Sequence, residues 1–79
     1  MIKTKEREEY IRDFKTRKII GILRYRTNGD IEAVEFASRR ILGFYKAATD
    51  STTDFYGRVI TKGNSVVAFI YDAFEKSNR

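Results

Sequence analysis

Neither cysteine nor histidine occurs in these 79 residues. The lack of cysteine excludes disulfides, and the lack of both removes the usual zinc ligands. Missing histidine also removes the commonest general acid–base group near neutral pH. Ser38, Ser51 and Ser65 could serve as nucleophiles, but no base stands ready to activate them. There is no Gly-rich phosphate loop, RRM-type sequence or metal-ligand spacing. An enzyme is therefore not expected, and no cofactor or metal is implied. No apolar run approaches the ~18 residues of a membrane span, and Met1 to Glu9 has no apolar signal core. A cytoplasmic protein without membrane contact is the expectation.

What is present is charge, aromatics and a repeat. Lys and Arg number 16 against 11 acids, a formal net charge of +5. That balance suits an ordinary soluble surface and also permits an acidic partner such as nucleic acid. A chain this short buries only about 60% of its unfolded surface. With no disulfide or metal to help, the small core favours a homo-oligomer.

The repeat centres on Glu35-Phe36-Ala37-Ser38-Arg39-Arg40-Ile41-Leu42-Gly43. It matches Asp13-Phe14-Lys15-Thr16-Arg17-Lys18-Ile19-Ile20-Gly21 and, in part, Asp54-Phe55-Tyr56-Gly57-Arg58-Val59-Ile60. The shared pattern is acid, Phe, any residue, small residue (Thr, Ser or Gly), Arg, any residue, Ile. Residues 18–26 read as a strand, rich in β-branched and aromatic side chains. They end at Thr27-Asn28-Gly29-Asp30, a strong hairpin signal. Strands are also expected over 31–36, 39–46 and 52–56, with turns at 49–51, 57–58 and 62–64.

A helix over about 31–48 is the rival, which would make the chain α+β. Asp30 would cap it, and Ile31, Val34, Ser38, Ile41, Leu42, Tyr45 and Ala48 would form its apolar stripe. Residues 66–74 can be read the same way. The matched Gly21 and Gly43 argue against it, because glycine inside a helix costs about 0.5–1 kcal/mol and in a strand marks close approach of another group. The reading is all-β: repeated short β-hairpins around a pseudo-symmetric centre. Its organisation is a charged N-terminal segment 1–9, a hairpin-repeat domain 10–73 and a polar tail 74–79.

The repeated unit, together with Lys62-Gly63-Asn64-Ser65-Val66-Val67-Ala68-Phe69-Ile70, resembles the four-fold β-flower family of small bacterial proteins. The resemblance implies four hairpin petals about an axis, with Gly63 to Phe69 as the fourth unit. It brings no known activity.

Three sets of residues are candidates for function. Asp13, Glu35 and Asp54 recur beside turns, where they would cap amides or pair with the repeated arginines. Arg17, Arg39 and Arg58 could converge on an anion, their other use being to pair with their own acid or stack on Phe14, Phe36 or Phe55. Arg24, Arg26, Arg40, Lys46, Tyr45 and Tyr56 would make a basic, aromatic surface for nucleic acid or a protein partner. The expected function is a structural or protein-interaction module that associates with itself or another protein. The alternative is a nucleic-acid-binding domain.

Overall fold

A computed structural model describes residues 6–77. Six antiparallel strands follow one another in a single sheet, each beside the next in sequence. They are β1 (Arg7–Arg12), β2 (Ile19–Tyr25), β3 (Ile31–Glu35), β4 (Ile41–Lys46), β5 (Ser51–Asp54) and β6 (Val59–Lys62). Among the described residues there is one α-helix, α1 (Val67–Ser77), which follows β6, and one short 3-10 turn, Ala47–Thr49, between β4 and β5. Among the described residues, no helix is long and apolar enough to cross a membrane.

The chain is thus β-rich, with hairpin-linked antiparallel strands. Two expectations need correction. The hairpins do not surround a centre; they lie side by side in an open sheet. The supposed fourth unit is not a hairpin, because Val67 to Ser77 is helical. Val66, Phe69, Ile70, Ala73 and Phe74 recur at three- and four-residue spacing, so a helix puts them on one side. Asp72 and Lys76 pair on another side, four residues apart. The rival helix over 31–48 is absent, since that stretch forms β3 and β4. Asp30, its would-be cap, instead accepts a hydrogen bond from Ala47 N at 2.9 Å. Of the expected terminal segments 1–9 and 74–79, residues 1–5 and 78–79 lie outside the described residues; in the remainder β1 starts at Arg7 and α1 reaches Ser77.

α1 lies across β2, β3 and β4. Ile70 and Val66 are fully buried there with Ile20, Leu23, Ile31 and Ala33, flanked by Ile11, Leu42, Phe69 and Phe74. Each fully buried aliphatic side chain contributes about 1.5–3 kcal/mol. Gly21 and Gly43 form the floor of this contact. A Cβ on Gly21 would collide with the Ile70 side chain, and one on Gly43 would lie 2.7 Å from the Thr53 carbonyl oxygen. Helix and sheet approach closely because these two strand positions carry no side chain.

Ile22 and Val34 alternate to the opposite face and are also buried. Tyr10, opposite Ile22 on β1, and Phe44, diagonal to Val34 on β4, flank them. The middle of that face is therefore dry without a second layer.

The link from β6 to α1 is held by Thr52, which is itself buried. Its hydroxyl donates to Gly63 O at 2.7 Å and accepts from Ser65 N at 2.9 Å. Asn64 Oδ1 then accepts from Val66 N at 3.2 Å, leading the chain into the helix.

Candidate functional site

The strand order places the loops β1–β2, β3–β4 and β5–β6 at one end of the sheet. These loops are the sequence repeat. In the first, Asp13 N donates to Lys18 O and Asp13 O accepts from Arg17 N, both at 2.9 Å. In the second, Glu35 N donates to Arg40 O and Glu35 O accepts from Arg39 N. In the third, Asp54 N donates to Arg58 O and Asp54 O accepts from Gly57 N. The third loop is therefore one residue shorter. Its left-handed residue is Gly57 (φ 87°), whereas Arg17 (φ 64°) and Arg39 (φ 62°) hold that position in the other two. Arg58 is thus the counterpart of Lys18 and Arg40, not of Arg17 and Arg39.

Each acid braces its own loop. Asp13 Oδ2 accepts from Thr16 N and Thr16 Oγ1, and Thr16 Oγ1 accepts from Lys18 N. Glu35 Oε1 accepts from Ser38 Oγ, and Ser38 Oγ accepts from Arg40 N. The recurring small residue is therefore a hydroxyl relay between carboxylate and backbone. The short loop lacks one, and Asp54 reaches the backbone directly, accepting from Tyr56 N and Arg58 N at 2.9 Å.

These bonds favour the charged carboxylate. The backbone N–H of Thr16, then its hydroxyl, holds Asp13 below the ordinary aspartate range. The backbone N–H of Arg58, with its guanidinium, does the same to Asp54. A lowered folded-state pKa stabilises above the unfolded value, and that benefit is lost as pH falls through the folded one. Wild type is accordingly expected to lose stability below about pH 4 more steeply than Asp54→Asn. Thermal melts of both across that range test this; parallel pH profiles would contradict it.

A register irregularity follows each loop. It makes Ile20 in β2, Leu42 in β4 and Ile60 in β6 the extra residues of their hairpins. Ile20 and Leu42 belong to the helix-packed core. Ile60 occupies the same place in the third hairpin, but α1 does not reach it. Relative exposure is 8% at Ile20 and 57% at Ile60. Val59, Phe55 and Tyr56 are also exposed, so one hairpin holds four large apolar side chains in water. Phe55 and Tyr56 sit beside Arg40, Ile41 and Leu42 around an open hollow of about 320 Å³.

The arginines expected to converge lie in a row across the loop end. Arg58 Nε pairs with Asp54 Oδ2 at 2.9 Å, and the Arg39 guanidinium stacks 4.4 Å over Phe36. Arg17 makes no ion pair or ring stack among the described residues, and its carbonyl accepts from Arg12 Nη1.

The expected basic surface divides in two. Arg40 and Tyr56 belong to the loop end, where Arg40 pairs with Glu35 at 3.8 Å. Arg24, Arg26 and Lys46 lie toward the opposite end and meet acids there: Arg24 with Glu8 and Glu32, Arg26 with Glu6 and Glu32, Lys46 with Asp30. Tyr45 is also at that end, donating to Asp50 Oδ1 at 2.7 Å. The loop end is the more basic. Lys15, Arg17 and Lys18 share the first loop, Arg39 and Arg40 the second and Arg58 the third, against one bracing acid in each.

No family model, curated protein or solved structure matches this chain. The site therefore rests on its own geometry. Sequence reading singled out Arg58 and Tyr56 but missed Val59 and Ile60 as a surface. The repeat as read by identity aligns Ile60 with Ile19 and Ile41; the equivalence of Ile60 to Ile20 and Leu42 follows from the strand pairing and the shorter third loop.

Proposed function

We propose that this chain is a protein-interaction module that pairs with a second copy of itself through the β5–β6 hairpin. The observation that carries the reading is Ile60. In the first two hairpins the equivalent residue packs in the core beneath α1; in the third it faces solvent. Phe55, Tyr56 and Val59 of the same hairpin are exposed too, and large apolar side chains gathered in water on so small a domain suit an interaction surface. Two copies packed through these hairpins give each Ile60 the cover that α1 gives its counterparts. The small core and the absence of disulfides leave room for stabilisation by association.

Light scattering over a concentration series tests this. Wild type is expected to form a dimer as concentration rises, and Ile60→Lys to remain monomeric with an unchanged melting profile at low concentration. A wild type that stays monomeric at high concentration would overturn the proposal.

A further inference from the structure

The loop end has a second property that self-pairing does not use. Arg17 and Arg39 hold the left-handed position of their loops, where glycine or asparagine is far more comfortable. The third loop places Gly57 there, so the architecture accepts the cheaper residue. Keeping arginine at both tips, against backbone preference, points to a use for the guanidinium. Neighbouring tips are separated by two strand spacings, about 10 Å. The cations therefore form a line, which suits a polymer of regularly spaced negative charges better than a single small anion.

Aromatic rings accompany that line. Phe14 is 81% exposed and lies parallel to Tyr71 of α1, with ring centroids 5.8 Å apart and planes 3° from each other. These two rings, with Phe74, line an open hollow of about 530 Å³ bordered by Lys15 and by the acids Asp13 and Glu75. Exposed ring faces next to a track of cations are what unpaired bases and their phosphates need. An acidic peptide would use the charges and leave the rings idle.

We infer that the loop end binds single-stranded nucleic acid, its phosphates following Arg17, Lys18, Arg39 and Arg40 and a base stacking on the Phe14–Tyr71 pair. All these residues lie outside the β5–β6 hairpin. The test can therefore be run on the Ile60→Lys variant, which separates it from self-association.

Fluorescence anisotropy with labelled oligothymidylate and oligouridylate is the measurement. Binding to at least one is expected in low salt, falling steeply as salt rises. Arg17→Asn combined with Arg39→Asn is expected to lower the salt slope by about 1.4 while melting no lower than the parent, because asparagine accepts the left-handed backbone. Phe14→Ala is expected to weaken binding about tenfold. Lys46→Gln with Lys62→Gln removes equal charge at the opposite end and is expected to leave the slope unchanged. The inference fails if neither oligonucleotide binds, or if the Arg17/Arg39 variant binds like its parent. It also fails if a duplex or polyglutamate binds as tightly as the single strand, the latter indicating an acidic protein partner.

Discussion

Replacing Gly21 with alanine is expected to destabilise the fold by about 2 kcal/mol, as overpacking of a tight core does. Shortening Ile70 should return much of that loss. The three atoms that the added methyl would meet first all belong to the Ile70 side chain, so this obstacle is one that mutation can remove. Ile70→Ala alone empties a fully buried site and should cost about 2–5 kcal/mol. In the double variant the new methyl occupies part of that space. The pair is expected to lose about 1.5 kcal/mol less than the sum of the single changes, a coupling typical of residues in contact.

Gly43 provides the contrast. A Cβ there would meet the Phe69 ring and also the Thr53 carbonyl oxygen in β5. Trimming Phe69 removes the first obstacle and not the second. Gly43→Ala combined with Phe69→Ala should therefore show weaker coupling. Urea denaturation of the two sets gives the free energies directly. Equal coupling at both glycines would contradict the packing described.

Replacing Thr52 with valine should be nearly as costly, about 2 kcal/mol. The change conserves shape but removes the hydroxyl that serves both Gly63 O and Ser65 N. It leaves a carbonyl and an amide of the β6–α1 link without their partner, and stranded polar groups cost about 1–3 kcal/mol each when buried. Thr52→Ser keeps the hydroxyl and should lose much less. Because the link sets where α1 begins, amide exchange should quicken across residues 63–70 in Thr52→Val before it does so in β2 and β3. Uniform acceleration would show that the hydroxyl acts on global stability alone.

These two sites show what the sequence made legible. The strand over 18–26 and the turn at 27–30 could be read from β-branched residues and Asn28-Gly29, because local chemistry decides both. Gly21 and Gly43 favour strands by their cost in a helix, but what they make room for is not visible in the sequence: they admit a helix, and nothing local says which segment that helix will be. Residues 66–74 fit either a strand or a helix by periodicity. The choice falls to the sheet, which needs a cover over Ile20, Leu23 and Ala33, and α1 supplies it.

The repeat predicts hairpins about a centre, whereas in the structure it marks three loops at one end of an open sheet. A recurring acid, hydroxyl and arginine suggested symmetry about a point, but such a pattern specifies only loops. Where successive hairpins sit relative to one another depends on which edges pair, and here every strand pairs with its sequence neighbours. The single-residue difference in the third loop also went unseen, since Arg58 aligns by identity with arginines that it does not match in backbone position. The ion pairs that neutralise Arg24, Arg26 and Lys46 depend on cross-strand register, which no residue count reveals.

α1 packs against β2, β3 and β4 and leaves Ile60 exposed, and the proposed pairing is that a second copy covers it. Amide chemical shifts of the isotopically labelled protein, followed through a dilution series, put that to the test residue by residue. The account predicts concentration-dependent shifts gathered at Phe55, Tyr56 and Val59 to Thr61, with β1 and the buried strands still. Spectra that do not change with concentration, or changes gathered at β1, would contradict it.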